Sequence, residues 1–194
     1  MTADEIVDGI LAREGGWRDQ VTRPDGTLDP VTNLGITLDT LQTYGPSYLR
    51  AEGGYGIERL RALTREEAAI LYTAVYISRP GFTPANIPFE PLRVQLIDFG
   101  VNSGPERAIR WLQRVLGMPK SEINGVLDPK TRERISVVVG DWFGFDDTRG
   151  RLVNDALVAA RAYMIDQATD QGSMRKQDEE GVESRALSFF LARP

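Results

Sequence analysis

The sequence predicts a mainly α protein (α+β), in which helices surround one small β-hairpin region near the amino terminus. Three observations predict it. Apolar residues recur at helical intervals over most of the chain, beginning with Ile6, Val7, Ile10 and Leu11. Helix-start signals precede several of these runs: Thr2 with Glu5, Thr64 with Glu67, and Asp128 before Pro129. Residues 17–36 break the pattern, alternating short apolar and polar stretches around Pro24-Asp25-Gly26 and Asp29-Pro30, which are turn formers.

Taken in order, residues 3–14 form an amphipathic helix that Gly15 and Gly16 end. The hairpin region follows, and Thr37 then caps a short helix expected to stop at Gly45-Pro46. The Thr64/Glu67 capping box starts the next helix, whose core face is Ala68, Ala69, Leu71, Tyr72 and Val75. Three prolines between Phe82 and Pro91 mark a connector between lobes. Beyond it, Leu92, Leu96, Ile97 and Phe99 lie on a helix running toward Asn102, and Gly104-Pro105 restarts the helical chain. Ala108, Ile109, Leu112, Val115 and Leu116 share one face of the following helix, which ends at Gly117. Asn124-Gly125 makes a turn, Asp128-Pro129 opens a helix through Val139, and helices near 151–170 and 179–192 complete an all-helical second half. Trp111 and Trp142 are read as core residues, because tryptophan is highly buried on average.

Composition narrows the chemistry. The chain of 194 residues holds one domain with an ordinary core, or two small lobes sharing one. It contains neither histidine nor cysteine, which excludes serine triads, cysteine nucleophiles and the usual zinc sites. Carboxylates, hydroxyls and backbone amides are left to do any chemistry. The net charge of −5 argues against a nucleic-acid partner. Residues 1–85 carry 12 acids and 8 bases, a net of −4, so the acidity lies mostly in the first half. The amino terminus is acidic, and no apolar run approaches the ~18 residues of a membrane helix. Neither a signal peptide nor a membrane anchor is therefore expected.

Glu14 is the leading candidate acid. It stands at the last turn of the first helix, where the negative end of the macrodipole favours a protonated carboxyl, as a general acid requires. Gly15 and Gly16 leave the backbone beside it open to a bulky ligand, and Trp17 adds an aromatic face. An isolated Glu-Gly-Gly is more often a plain helix stop. Here Thr32-Asn33-Leu34-Gly35-Ile36-Thr37 follows within one loop's length, with a hydroxyl and an amide to orient water or sugar.

Helix-Glu14-Gly-Gly-Trp17, then Thr32-Asn-Leu-Gly-Ile-Thr37, then Asp98-Phe-Gly-Val-Asn-Ser-Gly104 closely resemble the glycoside hydrolase family 108 muramidases, phage-type endolysins and bacterial relatives. The order and spacing match over roughly residues 3–185. The resemblance implies a lysozyme-like fold with two parts: a catalytic lobe over 1–85, and a helical lobe over 86–194 resembling the family's peptidoglycan-binding region, packed together in one compact unit. In the second lobe it rests on Ala108-Ile-Arg-Trp-Leu-Gln113, Asn124-Gly-Val-Leu-Asp-Pro-Lys-Thr131 and Gly181-Val-Glu-Ser-Arg185. Three departures stand out. Trp17 replaces the usual tyrosine, the loop before Thr32 is longer than usual, and Gly181-Val182 stands where Gly-Trp is common.

By this resemblance Glu14 is the general acid, and an aspartate of the hairpin region supports the sugar cation or activates water. Asp29 ranks slightly ahead of Asp25, with Asp19 a third candidate. Thr32 orients the water, while Trp17, Asn33, Asp98 and Asn102 are expected to contact substrate; Asp98 and Asn102 share a helix face. Asn102 also suits a plain helix end. Arg107, Arg110 and Arg114 form a helical stripe, either solvated surface or a contact for stem-peptide carboxylates. Glu52-Gly53-Gly54-Tyr55 copies the family's usual string, but without an apolar helix before it or a Thr-Asn-x-Gly-Ile-Thr after it, and reads as a surface turn. The implied substrate is the peptidoglycan glycan strand, cut by a monomer that needs no metal or cofactor. Synthesis in the cytoplasm without a signal peptide then calls for a holin or another export route to the wall. A lytic transglycosylase and a non-catalytic wall-binding or virion protein are the alternatives.

Overall fold

The structure is a computed structural model, described for residues 2–22, 26–51, 53–140, 147–170, 183–184 and 186–190. The chain divides into two compact units, Met1–Arg79 and Pro80–Pro194. Mainly helical architecture with a small hairpin sheet is what the periodicity predicts, and the described residues contain eight α-helices.

In the first unit, α1 (Ala3–Glu14) begins at a complete capping box: Thr2 accepts from the Glu5 amide, and Glu5 accepts from the Thr2 amide. Its buried face is Ile6, Val7, Ile10 and Leu11. Two antiparallel ribbons follow. In the first, β1 (Val21–Thr22) pairs with β2 (Leu28–Asp29); in the second, β3 (Thr32–Asn33) pairs with β4 (Ile36–Thr37). Thr37 caps α2 (Leu38–Tyr48) by accepting from the Thr40 amide at 3.1 Å.

This helix corrects the expected stop at Gly45-Pro46. It carries Pro46 inside and continues to Tyr48, and the Leu49 amide donates to the Gly45 carbonyl at 2.7 Å to close the last turn. Proline removes one donor and does not prevent a further turn near a helix end. Gly45 is itself buried against the Tyr55 ring, where a Cβ would collide. A short α3 (Ile57–Arg61) was not foreseen. Five residues carry too little periodicity to register. A second capping box at Thr64 and Glu67 opens α4 (Arg65–Tyr72), which runs directly into a π-helix over Thr73–Ser78.

The second unit is helical, as expected: α5 (Glu90–Ser103), α6 (Pro105–Val115), α7 (Pro129–Val139) and α8 (Asp147–Asp170), with a 3₁₀ turn at Lys120–Glu122. Its core includes Leu92, Leu96, Phe99, Ile109, Leu112, Ile135 and Leu157. The proline-rich segment expected as a connector is part of that core, since Phe82, Ile87 and Phe89 are all buried. Trp111 corrects another expectation: it is half-buried, with the Arg114 guanidinium 4.6 Å from its ring centroid. Trp142, Gly181, Val182 and Arg185 lie outside the described residues, as does most of the helix expected near 179–192.

Candidate active site

The site is built where α1 ends. Glu14 closes the helix, half-buried, and Gly15 takes φ 69° with ψ −165°, a conformation essentially confined to glycine that lets the chain turn away at once. Arg18 then pairs with Thr32 through two backbone hydrogen bonds of 2.8 and 3.0 Å, which lays the strand after Glu14 alongside β3. One motif is thereby stitched to the other by main chain.

The β3–β4 turn completes the placement. Leu34 and Gly35 form its two-residue loop with φ of 52° and 74°, the pairing of positive φ values that a type I′ hairpin requires. Asn-Gly is the usual sequence there. Leucine in this conformation costs roughly 1–2 kcal/mol, so the turn is held by other contacts. Gly35 lies against the acid: a Cβ at this position would stand 2.9 Å from both Cγ and Oε2 of Glu14 and would overlap the Tyr72 hydroxyl. Glycine is thus required twice, by backbone angle and by space.

Thr32 is buried, 8% exposed, and its Oγ1 has no hydrogen-bond partner among the described residues. A buried hydroxyl without a partner carries a desolvation cost of about 1–3 kcal/mol, which fits a group kept to bind water or substrate. Asn33 beside it is also buried, but its amide donates to the carbonyls of Leu60 and Arg61 at 3.0 and 3.1 Å. These two hydrogen bonds tie the hairpin to the end of α3.

Trp17 is half-buried; its Nε1 donates to Asp19 at 2.8 Å, and the Arg61 guanidinium stacks 4.4 Å from the ring centroid. Asp19 holds this indole in place. Asp29 is half-buried on β2 opposite Val21, whereas Asp25 lies outside the described residues.

Two tyrosines beside the acid are not among the expected site residues; Tyr72 is expected only as part of a core face. Tyr72 is 1% exposed, and its hydroxyl donates to the Leu34 carbonyl at 3.2 Å. Tyr76, one helical turn on, packs its ring 5.5 Å from that of Tyr72. Burial raises the Tyr76 phenol pKa, a hydrogen bond with Thr40 opposes the shift, and the charges of Tyr44 and Glu14 add to it, so the phenol stays neutral beside the acid. Their signal was a pair of phenols four residues apart on an otherwise apolar helix face.

Asp98 and Asn102 belong to the second unit, and each is best explained there. Asp98 is 2% exposed and its Oδ2 accepts from Arg161 at 2.7 Å, a buried ion pair within the second unit. Asn102 folds back on the same helix, donating to the Asp98 carbonyl at 2.8 Å and more weakly to its carboxylate at 3.3 Å. In the arginine stripe, Arg110 is structural: it bridges Glu106 and the Ile123 carbonyl, each at 2.8 Å. The look-alike string is a turn, with Gly53 and Gly54 exposed at positive φ and the Tyr55 hydroxyl donating to the Leu49 carbonyl at 2.6 Å. Its Glu52 lies outside the described residues.

Residues 7–104 match the family model Glycosyl hydrolase 108. Among solved structures, Brucella abortus SagA superposes with a TM-score of 0.66 at 24% identity, over 98% of this chain and 96% of that one, which establishes likeness of fold. No curated protein matches the chain. The matched residues contain Glu14, the whole Thr32–Thr37 hairpin and both tyrosines.

Proposed function

Since the chain belongs to the glycosyl hydrolase 108 family, we propose that it is a muramidase that hydrolyses the β-1,4 bond between N-acetylmuramic acid and N-acetylglucosamine in peptidoglycan. The supporting observation is the close approach of Gly35 to the Glu14 carboxylate, which brings the two sequence motifs to one point. Glu14 donates its proton to the glycosidic oxygen and the bond to the anomeric carbon breaks. Water then adds to the oxocarbenium-like sugar, and its proton leaves to a carboxylate. Thr32, whose buried hydroxyl has no partner among the described residues, orients that water. Asp29 or Asp25 supports the developing positive charge. No metal or cofactor enters these steps. We further infer that the helical second lobe binds peptidoglycan, and that the enzyme acts on the wall after leaving the cytoplasm by a holin or another export route.

Mass spectrometry of fragments released from purified peptidoglycan tests this reading. Hydrolysis yields reducing muramic ends one water heavier than anhydro products. Anhydro ends would assign a lytic transglycosylase instead, and binding to peptidoglycan with no fragments released would assign a wall-binding protein.

A further inference from the structure

In a two-residue hairpin loop the carbonyl of the first loop residue lies outside the ladder and needs another donor. Here that residue is Leu34, the one residue other than glycine with positive φ among the described residues. Its carbonyl accepts from the hydroxyl of Tyr72, whose ring is fixed in the core at 1% exposure. Gly35 next in the turn faces both that hydroxyl and the Glu14 carboxylate, so turn, phenol and acid are packed together. Asn33 fixes the base of the hairpin through Leu60 and Arg61, leaving the tip to a second fastening.

We propose that Tyr72 is a positioning residue, whose hydroxyl holds the strained Leu34–Gly35 turn against Glu14 and so sets the acid's place relative to the scissile bond. The inference rests on the reading of Glu14 as proton donor. Phenylalanine would fill the same space in the core but could not donate to the Leu34 carbonyl. Strained backbone kept in place by surrounding structure is common where geometry serves function. Asparagine at position 34 would accept positive φ readily and would remove the need for the clamp.

The test compares Tyr72→Phe alone with Tyr72→Phe combined with Leu34→Asn; both variants keep the buried ring. Turnover and KM are measured on purified peptidoglycan, and amide hydrogen exchange is followed at Gly35 and Ile36. Tyr72→Phe is expected to lower kcat by about ten- to hundredfold with little change in KM, the size of effect that misplacing a reacting group produces. It should also speed exchange in the turn, and Leu34→Asn should restore both. Wild-type kcat and exchange in Tyr72→Phe would overturn the proposal, as would a loss of kcat that Leu34→Asn fails to restore. A wild-type protein that cleaves no peptidoglycan would instead overturn the reading of Glu14, while the exchange measurements would still decide whether Tyr72 clamps the turn.

Discussion

Thr32 separates function from stability more cleanly than any other residue of the site. Its hydroxyl is buried without a partner among the described residues, so removing it breaks no hydrogen bond among them. Thr32→Val should leave stability unchanged or raise it by about 0–1 kcal/mol, yet lower kcat by about ten- to hundredfold if the hydroxyl orients water. Urea denaturation beside steady-state kinetics checks both halves, and a destabilised variant with normal kcat would show a structural hydroxyl. Asp98 should behave in the opposite way. Asp98→Ala takes the carboxylate from a buried guanidinium and should cost about 3–5 kcal/mol, with KM per folded molecule unchanged. A stable variant with a raised KM would return Asp98 to the substrate. The contrast shows what local sequence can disclose. Glu14 stands out in the sequence because Gly15, Gly16 and Trp17 adjoin it, whereas the Arg161 partner of Asp98 is 63 residues away and the Leu34 partner of the Tyr72 hydroxyl 38. Periodicity reports that a ring is buried, not what its polar tip reaches.

At the scale of elements, caps were the most readable features because each is complete within four residues. The α7 cap shows how much one can gather. Asp128 Oδ1 accepts from both the amide and hydroxyl of Thr131 at 2.8 Å, and its Oδ2 accepts from Asn124 at 2.8 Å. The Thr131 amide and then the Asn124 and Thr131 side chains hold the Asp128 pKa below its ordinary value. A folded-state pKa below the unfolded one adds stability above the ordinary carboxylate range, and that stability is lost as pH falls through the lowered value. Asp128→Ala should therefore destabilise by about 1 kcal/mol at neutral pH, with the difference shrinking in acid. Urea midpoints across that range check it; a gap that widens toward low pH would contradict the assignment. Less legible were α3, too short for a period, and the π-helix over Thr73–Ser78, which begins directly after Tyr72 and carries Tyr76. A π-helix differs from an α-helix by hydrogen-bond register, which hydrophobic spacing does not encode; such segments are frequent at functional sites.

For the whole molecule, the mainly helical class was legible because amphipathic periods dominate the chain, while the division into units was less so. It falls between Arg79 and Pro80, ahead of the proline-rich segment, because Phe82, Ile87 and Phe89 bury themselves in the second unit. Composition had already removed histidine and cysteine chemistry, which leaves a carboxyl acid as the natural centre of any hydrolysis by this chain. Family membership over residues 7–104 sets that acid in the context of glycoside hydrolysis, and SagA shares the fold. Glu14 is where every line of the account meets: helix end, hairpin turn, tyrosine clamp and family match. The most direct measurement is the rate of reducing-end release from purified peptidoglycan by Glu14→Gln, with its fold verified by circular dichroism. A fall of about 10²–10⁴-fold from wild type is predicted, the usual contribution of a general acid. Release at the wild-type rate would contradict the assignment of Glu14.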